Sequence, residues 1–201
     1  MRMAWLLLIL AFTFGCGKPA VVTNAPPRNA SIACFGDSLV EGVGASSAKT
    51  TYPAQLGSML GLPVVNLGQR GDTTADGVRR LAEFANSDYG IIIVTLGGND
   101  ILQRVHWDTT VENLRKIFAG LQETGAVVVF TGVTGPLNMT RDKHYGKLCE
   151  ASGVLYVSEI LNGVFGNSEL MSDGIHPNDA GYERVAVKVA EALRVAQFAN
   201  R

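Results

Sequence analysis

No CxxC pair occurs among the three cysteines, and no run or stripe of Lys and Arg appears anywhere in the chain. The first absence gives no indication of a zinc site or a disulfide framework. The second, with a net charge of -1, argues against nucleic acid as a partner. No GxxxxGK[ST] loop is present, and Glu41-Gly42-Val43-Gly44 lacks the third glycine of a dinucleotide fingerprint, so a nucleotide-binding reading is weak. Only 17% of residues are charged and 47% are hydrophobic. That balance excludes disorder and supplies a sizeable core. At 201 residues, one domain is the natural expectation.

The longest apolar run, Ala4 to Phe14, is too short to span a bilayer as a mature helix. Arg2 precedes it and Gly15-Cys16-Gly17 follows, which is the order of an export signal. Cys16 after a small residue resembles the lipidation site of bacterial lipoproteins, although Thr13 stands where Leu is usual; cleavage near Pro19-Ala20 is the competing reading. The expected organisation is a signal over residues 1–15, an extended proline-containing tether over 16–28, and a domain over 29–201. Export to the periplasm, or membrane tethering through a lipidated Cys16, follows. Cys34 reads as a small buried hydrophobe, and nothing in the spacing argues for a disulfide with Cys149.

The body alternates strand and helix. Ser31 to Phe35 reads as a strand. Tyr52-Pro53 opens a helix that Gly61 stops, and Pro63 to Leu67 is a second strand. Asp72-Thr73 is expected to cap a helix to about Asn86, with Val78, Leu81 and Ala82 inward. Gly90 to Leu96, the most apolar internal run, reads as a central parallel strand covered on both faces. Thr109-x-x-Glu112 resembles a capping box for a helix burying Val111, Leu114, Ile117, Phe118 and Leu121. Ala126 to Phe130 is the fourth strand, Asn138 to Ser152 a weaker helix, Val154 to Val157 the fifth strand, and Asn178 to Phe198 the last helix. Such alternation implies an α/β fold, a parallel sheet with helices on both faces.

Ligands of an open parallel sheet bind beyond the carboxyl ends of its strands. Four polar clusters fall there: Gly36-Asp37-Ser38, Gly68 to Thr73, Gly97-Gly98-Asn99-Asp100, and Asp173-Gly174-Ile175-His176 ahead of the last helix. Each alone is an ordinary turn composition. Together they suit acyl transfer. Ser38, on a strand-to-helix turn, needs a base. Of the three histidines only His176 has a carboxylate at useful spacing, Asp173, able to hold the second imidazole nitrogen. The backbone N–H groups of Ser38 and Gly71 and the amide of Asn99 are candidate oxyanion donors. Asp37 and Asp100 read as loop braces, and His106 and His144 as surface or packing residues. A neutral His176 is required, so activity is expected to rise with pH as the imidazole deprotonates.

Those blocks, Gly36-Asp37-Ser38-Leu39, Gly71-Asp72-Thr73, Gly97-Gly98-Asn99-Asp100 and Asp173-Gly174-Ile175-His176-Pro177, resemble in order the four blocks of the GDSL (SGNH) hydrolases. The resemblance covers about Ser31 to Gly181, and its wording is similar to the small bacterial thioesterase/lysophospholipase/arylesterase enzymes. It implies a three-layer α/β/α flavodoxin-like fold with five parallel strands and a serine esterase acting on carboxylic esters or thioesters. Ser38, Asp173 and His176 would form the triad, Ser38, Gly71 and Asn99 the oxyanion hole, and no metal or organic cofactor would be needed. Gly68 rivals Gly71 for the glycine role, and the Gly-Asp-Thr order favours Gly71. The missing Gly-x-Ser-x-Gly elbow argues against a lipase-type α/β-hydrolase. A small-molecule or lipid-like ester is the expected substrate, and a monomer the expected state. Leu102, with Pro136 and Leu137 after the fourth strand, is a candidate wall of an acyl groove. The alternatives are an exported carbohydrate O-acetylesterase and a non-catalytic envelope lipoprotein.

Overall fold

A computed structural model describes residues 21–134 and 139–198. The signal segment, Cys16, Pro136 and Leu137 therefore lie outside the described residues. Strands β1 (Ile32–Gly36), β2 (Val64–Gly68), β3 (Ile91–Thr95), β4 (Val127–Thr131) and β5 (Leu155–Val157) form one sheet in the order β2-β1-β3-β4-β5. All four strand pairings are parallel. Seven helices accompany them among the described residues: α1 (Ser38–Glu41), α2 (Tyr52–Leu60), α3 (Thr74–Arg79), α4 (Gly98–Leu102), α5 (Trp107–Glu123), α6 (Met139–Ser152) and α7 (Asp179–Val195).

The β-branched runs Ile91 to Val94 and Val127 to Val129 are wholly buried because the sheet is covered twice. Side chains alternate across it. Ile32, Cys34, Ile93 and Val129 face a core shared with Leu56 of α2 and with Tyr182, Val185, Val189 and Leu193 of α7. Phe35, Ile92, Val94 and Phe130 face the other core, with Leu114, Ile117, Phe118 and Leu121 of α5 and Tyr145 and Leu148 of α6. This is the expected three-layer arrangement. Cys34 and Cys149 are buried and unpaired. Burial pushes both thiols up to about 12, so they stay protonated and inert. None of the described helices is long and apolar enough to cross a membrane.

Local differences from the sequence reading have local causes. The helix expected from Thr73 to Asn86 is a short α3 followed by a 3₁₀ turn, Arg80–Phe84. That tighter winding exposes Ala82 and buries Phe84 instead. Thr73 does form a capping box, with Asp76. No box forms at Thr109-x-x-Glu112. Helix α5 begins earlier, at Trp107, because the His106 ring accepts from Asp108 N at 3.4 Å. Thr109 then lies inside the helix, and Glu112 pairs with Lys116 at 2.7 Å. His144 packs on Trp107, with ring centroids 5.8 Å apart.

Residues 21–28, expected within the tether, are held against the body. Thr23 N donates to Gly153 O at 2.8 Å, and Asn24 Nδ2 to the carbonyls of Gln122 and Ala126 at 2.8 and 2.9 Å. The Arg28 guanidinium reaches the carbonyls of Thr124, Ser87 and Tyr89. All these anchors sit before β3, β4 or β5, at the amino ends of the strands.

Candidate active site

At the opposite edge, β1 ends against β3 so closely that a Cβ on Gly36 would lie 2.1 Å from Thr95 O. Only glycine permits that approach. Asp37 N donates to the same carbonyl at 3.2 Å, and the Asp37 carboxylate accepts from Leu39 N at 3.0 Å, starting α1. Ser38 is the first residue of that helix. Beneath it, a buried chain of hydroxyls runs from Tyr52 to Thr95 (3.1 Å) and on to Thr131 (2.7 Å), satisfying polar groups at the strand ends.

Two loops meet over this edge. The segment before α7 turns back on itself, Ser172 N donating to His176 O at 2.8 Å. Asp173 Oδ1 accepts from the backbone N–H groups of Ile175 and His176 at 2.8 and 2.7 Å, while Oδ2 lies 2.7 Å from His176 Nδ1. His176 Nε2 lies 3.1 Å from Ser38 Oγ. Ser38, His176 and Asp173 thus form one hydrogen-bonded line, with Ser38 and His176 nearly buried and Asp173 half exposed. The His176 hydrogen bond, followed by the two backbone donors, holds the Asp173 carboxyl down to about 2, so it is ionised across the working pH range.

The loop after β2 is the second. Gly71 has φ +88 and open space where a Cβ would be, and it lines the cleft. Gly68 does not: a Cβ there would lie 2.0 Å from Glu41 N, so this glycine serves the contact between β2 and α1. Asn99, in the first turn of α4, donates through Nδ2 to Asp72 O at 2.9 Å, which fixes its amide and leaves a second N–H. The backbone N–H groups of Ser38 and Gly71 donate to no acceptor among the described residues. Asp72 is held by Arg80 Nη1 at 2.6 Å, and Arg80 lies over the Phe35 ring. Asp100 is a brace, as expected. Its carboxylate accepts from Thr74 N at 2.8 Å and from the hydroxyls of Thr74 and Thr110, tying α4 to α3 and α5.

The cleft between these loops encloses about 250 Å³. Ser38, Gly71, Asn99, His176 and Leu102 all line it, and Leu102 is 60% exposed. Four further apolar residues, Val133, Leu161, Phe165 and Ile175, share the wall with Ile101 and Arg70. Leu161 and Phe165 were not singled out from the sequence. They lie in an irregular stretch between β5 and α7, and their only signal is a spacing of four across Gly163. No group of His, Cys, Asp and Glu suited to a metal ion occurs among the described residues.

Residues 34–184 match the model of the GDSL-like lipase/acylhydrolase family. The chain belongs to this family. An arylesterase of Vibrio mimicus is 28% identical over 86% of the chain and 92% of its own length. The esterase TesA of Pseudomonas aeruginosa is 31% identical over 65% of the chain and 69% of its own. Among solved structures, a crystal structure of TesA superposes with a TM-score of 0.76 at 28% identity, covering 83% of this chain and 99% of that one. As a GDSL family member with named esterase relatives, the protein is a carboxylic ester hydrolase.

Proposed function

We propose that the protein is a serine esterase of acyl esters or thioesters in which Ser38 is the nucleophile, His176 the general base and Asp173 the residue that orients it. The observation that carries this reading is the line Ser38 Oγ, His176 Nε2, His176 Nδ1, Asp173 Oδ2, with spacings of 3.1 and 2.7 Å. In it, His176 takes the Ser38 proton as Oγ attacks the ester carbonyl. The ionised Asp173 accepts from Nδ1–H, selecting the tautomer whose Nε2 is basic and stabilising the imidazolium. Negative charge on the carbonyl oxygen is met by the N–H groups of Ser38 and Gly71 and by the Asn99 amide. Collapse expels the alcohol or thiol, protonated by His176. Water, activated by the same imidazole, then releases the acid.

The apolar wall of Ile101, Leu102, Val133, Leu161 and Phe165 supports an acyl chain rather than a glycan acetyl group as the part held in the cleft. Export rests on the basic-then-apolar order of residues 1–15.

An alkyl fluorophosphonate tests the reading without presuming a substrate. The reagent is expected to add to Ser38, found by peptide mass spectrometry, and to add far more slowly to His176→Ala. Labelling at another residue, or equal labelling of the variant, would count against it.

A further inference from the structure

Followed along the sheet order, the wall of the cleft changes character. Beyond β3, β4 and β5 it is apolar, formed by Ile101, Leu102, Val133, Leu161 and Phe165. Beyond β2, on the far side of Ser38, it presents Arg70. The other ionisable residues in the wall are Asp37 and His176, so Arg70 contributes its one permanent cation among the described residues.

An exposed arginine is ordinarily a solvated surface group. Two features set Arg70 apart. Its main chain is pinned: Arg70 N donates to the carboxylate of Glu41, the last residue of the helix that begins with Ser38, and Gln69 N donates to Gly36 O at 2.9 Å. Its guanidinium is also unclaimed, with no carboxylate within ion-pairing distance among the described residues. Arg79 and Arg80, nearby in the chain, are held by Asp76 and by Asp72 and Glu83. The fold thus fixes the root of Arg70 beside Gly71 in the cleft wall and leaves its guanidinium without an acidic partner among the described residues.

We propose that Arg70 is a specificity residue that binds an anionic group, carboxylate or phosphate, on the alcohol side of the ester. The proposal rests on the esterase reading above. The acyl chain lies over the β3–β5 side, the scissile carbonyl over Ser38 at the end of β1, and the alcohol runs towards β2. A guanidinium grips either oxyanion through two parallel N–H donors. The preferred substrates are then amphiphilic: an apolar acyl group, and an alcohol carrying negative charge a few bonds from the ester oxygen.

Phenyl, 3-carboxyphenyl and 3-phosphooxyphenyl butyrates provide the test, with kcat/KM measured for the wild type, Arg70→Ala and Arg70→Lys. Comparing each ester across the three proteins cancels its intrinsic reactivity. Arg70→Ala is expected to lose about fivefold more on an anionic ester than on the neutral one, the size of an exposed ion pair. Arg70→Lys, which keeps the charge but not the fork, should fall between. Added salt should shrink the wild-type preference. A preference confined to one anionic ester identifies that anion as the ligand. Equal losses on all three esters would overturn the role of Arg70 and leave the esterase reading standing. Hydrolysis of none of them by the wild type would overturn both.

Discussion

Asn99 shows how one side chain is prepared for chemistry before any substrate arrives. Its amide already spends one N–H on Asp72 O, so the other is aimed without further ordering. If that donor meets the oxyanion, Asn99→Ala should lower kcat by about 100-fold with little change in KM, since the contact strengthens only as charge develops. Steady-state kinetics on one good ester would decide, and a loss confined to KM would contradict the assignment. Asp37 offers a test of a different kind. Burial, aided by the charge of Asp72, pushes its carboxyl up to about 7 against the pull of the Leu39 N–H. An unfolded aspartate ionises near ~3.9. Between those values the folded chain holds a proton that the unfolded chain has released, so this group lowers stability as pH rises from about 4 to about 7, and the loss then levels off. Asp37→Asn keeps the cap acceptor and removes the titration. Its Tm relative to the wild type should climb between pH 5 and pH 8, whereas a constant gap would contradict the account.

The secondary-structure elements explain what was legible in the sequence. Ile91 to Val94 and Val127 to Val129 announce buried parallel strands because β-branched residues leave few other options. The four polar clusters could be placed on one edge because the strand reading alone puts them there. Helices α1 and α4 are too short to show a period, so nothing in the pattern marks their extent. The start of α5 was missed because Thr109-x-x-Glu112 imitates a box while a histidine caps the helix. Leu161 and Phe165 reach the cleft through irregular backbone, where no periodicity points to a face. The Gly-Asp-Thr order already favours Gly71 over Gly68, and packing separates the two glycines by a second, independent route. Gly68→Ala would drive a Cβ into the backbone of α1. It should destabilise the fold by about 2 kcal/mol, within the usual range for overpacking, in a denaturant titration. An unaffected midpoint would mean that β2 and α1 are looser than described.

Taken whole, the molecule has two working edges. The amino ends of the strands are closed by residues 21–28, and the carboxyl ends carry the cleft. Arg28→Ala removes donors to three backbone carbonyls. It is expected to cost about 1 kcal/mol of stability and to leave KM for a simple ester unchanged, because the arm lies at the edge away from Ser38. A changed KM would show that the two edges are coupled. The central claim, that ester hydrolysis runs through Ser38, is tested most directly by following p-nitrophenyl esters from acetyl to palmitoyl with the wild type and Ser38→Ala side by side. Turnover by the wild type that falls to background in a variant with an unchanged circular-dichroism spectrum is the expected result. Turnover surviving in Ser38→Ala, or a folded wild type that hydrolyses no ester of the series, would contradict the claim.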